Sequence, residues 1–455
     1  MEMIAEKTVK RLNELIDQNR ERILKAADFI WKNPETGYRE WKTSKFMDEQ
    51  FKELGYKTIH FDGVPGFYAD IDTGRPGPSL AIMGELDSVI CASHPEADPE
   101  TGAVHACGHH TQCAYLVGVA GILKDPQILE TLSGKIRLIA VPAEELLELE
   151  FRASLRDKGT IKYFGGKVEF LYRGVFDGMS AAIMSHSGGS ISEKPLVLYK
   201  GNNGCITKTI TFKGKAAHAG GGPHRAINAL YAATLGINAI NAIRETLKEE
   251  NYTRIHPIIT DGGVAVNVIP ETAKLESYVR GANPEAMVAE NKKVNRALAG
   301  AALSIGAGLR IQDIPGYMPL HNSLDLNETS KKVGDVIFGE DNVEINTEWK
   351  AGSTDMGDLS CVLPVVHAGG GGGEGTGHGN DYRIIKAETA CVDSAKYICA
   401  LACALLGSGG AELKRIKDNY KPVFASYKEY FDFVDKIYSE KELVKYDGDS
   451  AAIIW

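Results

Sequence analysis

Near the start of the chain, Ile4, Val9, Leu12, Leu15 and Ile16 recur at helical spacing among charged residues. This is the pattern of an amphipathic helix. It predicts one helix over Ala5–Ile30 and a second over Lys42–Leu54, separated by the breaker Asn33-Pro34-Glu35-Thr36-Gly37. Short apolar runs at Ser79–Gly84, Lys135–Val141 and Ala181–Ser185 read as buried strands, and His109–Leu123 reads as a helix between the first two. Strands alternating with helices argue for an α/β domain whose mostly parallel sheet carries helices on both faces.

The texture changes from about Lys194. Thr207–Lys213 alternates apolar and polar residues, as a half-exposed antiparallel strand does. A helix over Arg225–Thr246, strands over Ile255–Thr260, Val264–Ile269 and Ala273–Arg280, and a helix over Pro284–Ile305 complete the module. The expectation is an inserted α+β domain over 194–312, with an antiparallel sheet and two helices, between two parts of the larger domain, 1–193 and 313–455. Further helices are expected near Asn327–Phe338 and Glu388–Leu406, and the tail from Glu412 to Trp455 reads as a docked helix with a strand-like end.

Composition narrows the function classes. With 44% hydrophobic and 24% charged residues, the 455-residue chain reads as ordinary soluble globular protein. A net charge of −9 argues against a nucleic-acid partner and against an anionic membrane, since both want a basic surface. A small acidic substrate stays open, because it needs only one local positive pocket. The first residues hold no signal-peptide core, and no stretch reads as apolar enough to span a bilayer. The eight cysteines are scattered, without a Cys-x-x-Cys pair, as in a reducing compartment. A cytoplasmic protein is the simplest reading.

Five placements carry the candidate chemistry. In HACGHH, Cys107 and His109 stand two apart before a helix, where a thiolate and an imidazole can share a metal site. Glu144-Glu145 ends a strand, where one carboxylate can coordinate and the other can deprotonate a water. Glu85 and Asp87 in GELDS and His186 in AAIMSH also stand at strand ends, and His378 lies in a glycine-rich loop. Each has a plainer reading, such as a buried thiol or a solvated acidic turn. Together they point to a metal site, because ligands converge from several strand ends. A Cys/Glu/His/His/His set suits two closely spaced divalent ions, Zn or Mn, with the thiolate favouring the softer metal. The run Gly369–Gly373 lacks the Lys-Ser/Thr ending of a phosphate loop, and no Gly-x-Ser-x-Gly elbow occurs.

In this order, the motifs resemble those of the two-metal aminoacylase/carboxypeptidase metallopeptidases, in particular the amidohydrolase branch that includes p-aminobenzoyl-glutamate hydrolase. The resemblance spans nearly the whole chain. It rests on the Pro34-Glu35 turn, GELDS, HACGHH, PAEE, GKAAHAG with Asn267 and Arg280, and GSTDMGD at 352–358. It implies that Cys107, His109, Glu145, His186 and His378 ligate the metals, that Glu144 is the general base, and that Asp87 orients a ligand. It further implies that His218 helps stabilise the oxyanion, while Asn267 and Arg280 bind the substrate, Arg280 through a free carboxylate. The larger domain would be catalytic, and the insert a lid and dimerisation domain of a homodimer. The activity implied is hydrolysis of an amide bond in an N-acyl or aryl-acyl amino acid or a dipeptide, by water activated at the metals.

The residues also allow plainer roles. His218 could cap its loop, Arg280 could pair with an acid such as Glu276, and Asn267 could be a strand-edge polar residue. Two other functions stay open: a non-catalytic member that binds a metal or ligand, and a deaminase or cyclic-amide hydrolase on the same scaffold. Two features depart from the family pattern. His110 follows the motif's second histidine where relatives often carry Asp or Asn, and the stretch 146–174 is unusual.

Overall fold

The structure is a computed structural model describing residues 4–188, 194–448 and 450–454. The chain divides into two units, the first comprising 1–201, 321–348 and 358–423 and the second 202–320, 349–357 and 424–455.

The first unit is built on an eight-stranded sheet in the order Ile59–Phe61, Val64–Asp72, Lys135–Val141, Ser79–Glu85, Ala181–Ser187, Val365–Gly370, Leu196–Tyr199, Val343–Asn346. Its central four strands, Lys135–Val141 to Val365–Gly370, run parallel. The edge next to Lys135–Val141 is antiparallel, and so is the pairing of Val365–Gly370 with Leu196–Tyr199. The sheet is therefore mixed, with its parallel part at the centre. The central strands are buried along nearly their whole length, which is why they read as continuous apolar runs.

Helices Glu6–Trp31, His109–Leu123 and Ser394–Leu406 share one core with this sheet. Glu6–Trp31 buries one stripe, including Leu12, Ile16, Ile23 and Ile30, as its amphipathic pattern requires. His109–Leu123 is buried at almost every position and accordingly has no polar face. The segment Glu388–Leu406 is long and apolar enough to cross a membrane by composition, contrary to the sequence expectation. In this fold it is a core helix: a π-helical turn at Glu388–Asp393 leads into the buried helix Ser394–Leu406.

The second unit holds an antiparallel sheet in the order Arg254–Ile255, Thr272–Gly281, Gly204–Lys213, Gly308–Tyr317, Ser439–Asp447, Ser450–Ile453, with Ile258–Asp261 also pairing Thr272–Gly281. Helices Ala229–Ala242 and Pro284–Ser304 pack with it in a second core.

Three expectations are corrected here. The segment Val264–Ile269 forms no strand. It is a loop touching the rest through the His218–Val268 bridge, with Val264 94% exposed, so its alternating valines mark no buried face. The predicted helix Arg225–Thr246 shortens to Ala229–Ala242 between two 3-10 turns. The domain limits move as well. The boundary expected at 193 abuts residues 189–193, which lie outside the described residues, and Leu196–Tyr199 belongs to the first unit's sheet. At the other end, Gly308–Tyr317 is one unbroken strand through 312, and the tail strand Ser439–Asp447 hydrogen-bonds along it. That pairing takes 424–455 out of the larger domain and into the second unit.

Candidate functional site

Three segments that the sequence pattern singled out meet at the ends of the first unit's central strands. Asp87 lies just beyond Ser79–Glu85, Glu144 and Glu145 just beyond Lys135–Val141, and His186 next to the end of Ala181–Ser187. The thiol and imidazole of HACGHH enter from the helix start. Gly108, at the N-cap of His109–Leu123, has φ of 92°, and a Cβ there would lie 2.4 Å from the Ser187 carbonyl oxygen. Only glycine lets that turn approach the His186 strand so closely. The His378 loop is tied in by its backbone N–H, which donates to the Ala106 carbonyl at 2.9 Å. His378 itself holds a left-handed φ of 64°, a conformation that non-glycine residues adopt mainly at functional sites.

The donor atoms converge. Cys107, His109 and His186 form one group, Cys107, Glu145 and His378 a second, and Glu85, His109 and Glu144 a third; within each, one ligand atom per residue lies within 4.8 Å of the others. Cys107 Sγ stands 3.4 Å from His186 Nε2, and His378 Nε2 stands 2.9 Å from Glu145 Oε1. Glu144 Oε2 is 3.9 Å from His109 Nε2. Asp87 is fully buried and joins two members: its Oδ1 is 3.1 Å from His109 Nδ1, and its Oδ2 accepts the Glu145 backbone N–H at 2.8 Å. The Asp87 carbonyl is a further acceptor for His109 Nδ1 at 3.0 Å. With Nδ1 so engaged, the other ring nitrogen faces the cluster. His109 Nε2 is buried and has no partner in hydrogen-bonding geometry, although Glu85 Oε2 lies 3.0 Å away. A carboxylate–imidazole pair that leaves Nε2 available is the usual support of a metal-binding histidine.

Charge in the cluster is already separated. Burial and the Glu145 carboxylate act to raise the Cys107 thiol, but His109 and His186 prevail and bring it down to about 6. Burial likewise opposes ionisation of Glu145, yet the hydrogen bond and charge of His378 bring it down to about 2. The reciprocal effect carries His378 up to about 11, through hydrogen bonds to Cys107 and then Glu145. Burial would keep His109 neutral, but Cys107, Glu85 and the Asp87 hydrogen bond raise it well above the ordinary imidazole value. Without a metal the cluster is therefore a set of ion pairs, with its thiol and carboxylate driven toward their charged forms and His109 and His378 toward imidazolium.

One neighbour escaped the sequence reading: Lys167, the partner of the strand-end acid Glu85. Glu85 is buried, accepts from Gln112 Nε2 at 2.7 Å, and pairs with the fully buried Lys167 ammonium. Burial works against the Glu85 charge, but Lys167 and then His109, His186 and His367 hold it well below the usual carboxylate range. Lys167 lies on the helix Gly166–Tyr172, inside the unusual stretch 146–174. A lone lysine among apolar residues carries no periodic signal that separates a buried ion pair from a solvated side chain.

The other three candidates lie in the second unit. His218 and Asn267 meet through backbone, the Ala219 N–H donating to the Asn267 carbonyl at 3.0 Å, and both side chains are exposed. His218 Nδ1 accepts the backbone N–H groups of Gly220 and Gly221 at 3.1 and 3.0 Å. Arg280, on strand Thr272–Gly281, donates to Ser353 Oγ at 3.1 Å, which brings the Gly-Ser-Thr segment to the arginine and leaves Glu276 unpaired with it.

Residues 200–305 match the M20 peptidase dimerisation domain. The chain is 28% identical over 372 residues to the Xaa-Arg dipeptidase of Mus musculus, covering 79% of this chain and 78% of that protein. It is 27% identical over 273 residues to one of the p-aminobenzoyl-glutamate hydrolase subunits of Escherichia coli K12, covering 55% of this chain and 49% of that one. In fold it is similar to a dinuclear metal-binding peptidase of the M20 family from Bacillus subtilis, with a TM-score of 0.62 and 22% identity over 86% of this chain and 99% of that one.

Proposed function

We propose that this chain, a hydrolase of the M20 peptidase kind, cleaves the amide bond of an N-acyl or aryl-acyl amino acid or a dipeptide whose leaving amino acid carries a free carboxylate. The observation that carries this reading is the donor cluster at the strand ends, with Glu144 beside it. The two relatives point the same way in their names, one a dipeptidase and the other a hydrolase of an aryl-acyl glutamate.

In this reading two divalent ions, Zn or Mn, are held by Cys107, His109, Glu145, His186 and His378. The donors fit such ions: their ligand atoms converge to within 4.8 Å in each group, and Asp87 takes His109 Nδ1 so that Nε2 is left toward the cluster. When bound, divalent ions supply Lewis-acid polarisation of the carbonyl and a lowered pKa for water. Asp87 fixes the His109 tautomer through Nδ1 and the Glu145 backbone through its N–H. Glu144 takes the proton from the attacking water and delivers it to the departing amine nitrogen. His218 supports the oxyanion, and Arg280, with Asn267, holds the substrate carboxylate through its planar guanidinium. The chain works as a cytoplasmic homodimer through its dimerisation domain.

The test is metal content together with product identity. Protein loaded with Mn or Zn should carry about two ions per chain and release free amino acid from a panel of N-acyl amino acids and dipeptides. Chelation should abolish that release and reloading should restore it. No bound metal after reloading would favour a non-catalytic binding protein. Ammonia without amino acid would instead indicate a deaminase.

A further inference from the structure

The stretch 146–174 begins with the helix Leu149–Asp157, and on it stands Arg152, a guanidinium with no solvent exposure. Burying such a group is costly unless its N–H groups are used. Arg152 uses its two terminal nitrogens on main chain, while its Nε is buried without a partner among the described residues. One end donates to the Glu145 carbonyl, and the other donates to the Phe164 carbonyl at 2.6 Å and reaches the Ala143 carbonyl at 3.5 Å. These acceptors bracket Glu144. The bracketed turn is not a relaxed one: Ala143 has a φ of 55°, in the left-handed region. Its N–H donates at 2.7 Å to Glu40, a fully buried carboxylate. Gly37, in the Pro-Glu turn, leaves room for the guanidinium. A Cβ at Gly37 would lie 2.3 Å from Arg152 Nη2 and 3.0 Å from the Ala143 Cα.

We infer that Arg152 is a positioning residue: seated by Gly37, it holds the strained Ala143–Glu145 turn so that the Glu144 and Glu145 carboxylates present the spacing the site needs. The inference rests on the proposed roles of those two glutamates. It gives the unusual stretch a task, since the stretch supplies both Arg152 and the Phe164 carbonyl. Among the described residues the hydrogen bonds of Arg152 all go to main-chain carbonyls, so its hold on the turn is exerted through backbone. A displacement of about 1 Å at reacting groups is enough to cost on the order of 100-fold in rate.

The test uses two variants of the metal-loaded enzyme. Arg152→Met removes the clamp. Gly37→Ala keeps every charge but drives the guanidinium from its seat, and it serves if Arg152→Met fails to fold. Three readings are taken at a temperature where the variants are fully folded: metal affinity by competition with a chelator, kcat and KM, and amide hydrogen exchange at 143–145. Both variants should lose about 10–100-fold in affinity for one ion and in kcat, with KM changed less than about threefold and exchange at 143–145 faster. Folded variants with wild-type affinity, kcat and exchange would overturn the inference, as would a loss that merely follows the drop in melting temperature. Glu144→Gln, measured alongside, separates the two claims. If that variant retains wild-type kcat, the general-base reading fails, while affinity and exchange in the Arg152 and Gly37 variants still decide the clamp.

Discussion

Each unit buries a network of charged and amide side chains, and the two networks differ in one respect. In the second unit, the Lys208 ammonium donates to Asn291 Oδ1 at 2.9 Å, Asn295 Oδ1 at 2.6 Å and the Asp313 carboxylate. Asp313 Oδ2 accepts in turn from Asn291 Nδ2 at 2.8 Å and Asn295 Nδ2 at 3.0 Å. Every side-chain nitrogen and oxygen of the four residues has a partner. In the first unit, Lys167, Glu85, Asp87 and His109 are buried, yet His109 Nε2 lies 3.0 Å from Glu85 Oε2 outside hydrogen-bonding geometry, and His105, nearby in sequence, has neither ring nitrogen bonded. A closed network has nothing left to offer a ligand and contributes to the fold; an open one keeps capacity for a missing group. In the proposed reading the two networks differ in how completely their polar atoms are partnered rather than in burial or charge.

The sharpest way to break this comparison is to change Glu144, which stands 3.9 Å from His109 Nε2, and then one member of the closed network. Glu144→Gln keeps size and hydrogen-bonding capacity but cannot take a proton. It should lower kcat by roughly 10²–10⁴-fold, with metal content unchanged and unfolding free energy within about 0.5 kcal/mol of wild type. Lys208→Met should do the reverse. It leaves the Asp313 carboxylate buried and unpaired, which should cost about 3–5 kcal/mol in denaturant unfolding, with kcat unchanged in the folded protein. If Lys208→Met proved neutral for stability while abolishing turnover, the closed network would belong to the chemistry and the comparison would fail.

Arg280 tests the middle ground, a charged group that, among the described residues, makes one side-chain hydrogen bond, to Ser353. Losing hydrogen bonds to a charged partner costs about 1.5–3 kcal/mol. Arg280→Ala should therefore raise KM by roughly 10–100-fold for a carboxylate-bearing substrate and change kcat little. The matching amide-terminated substrate should lose the same factor with wild type and nothing further with the variant. A KM that stays put for both substrates removes Arg280 from substrate binding.

How far the sequence carried follows from the range of each signal. The helix His109–Leu123 and the strand Lys135–Val141 match their expected limits, because long apolar runs leave few alternatives to a buried element. The convergence of Cys107, His109, Glu144, Glu145, His186 and His378 was legible because strand ends of a parallel sheet share one edge, so residues remote in sequence meet there. Lys167 and Arg152 were not legible. FRASLRDKG reads as a charged helix, and periodicity places Lys and Arg outside by default. The tail strand Ser439–Asp447 was expected as strand-like but assigned to the wrong unit, since pairing with Gly308–Tyr317 leaves no local trace. Val264–Ile269 failed for the opposite reason: alternation is a local pattern, and it needs a neighbouring strand to become structure.

The smallest effect, and the one that reads the open network most directly, is the pH dependence of metal binding. Without metal, His378 is raised to about 11 and His109 well above its ordinary value, so both rings carry a proton at neutral pH. A cation needs the neutral imidazole, so binding must displace those protons. Each proton displaced makes affinity rise tenfold per pH unit, about 1.4 kcal/mol, throughout the range below the ring's own pKa. Cys107, brought down to about 6, is mostly thiolate above that pH and adds a further displaced proton only below it. Between pH 6.5 and 8, the logarithm of Mn affinity should therefore climb with a slope between one and two, and weakly buffered protein should release the corresponding protons on titration. His378→Gln should lower the slope by one while leaving the His109 contribution. The metal-free fold should respond with the opposite sign. His378 gains its proton more readily folded than unfolded, so the stability it contributes is complete below the unfolded value of 6.5 and is lost as pH rises toward about 11. A flat affinity profile over that window would mean that the imidazoles are not ligands, and the His109–Glu85 contact at 3.0 Å would then be a structural ion pair.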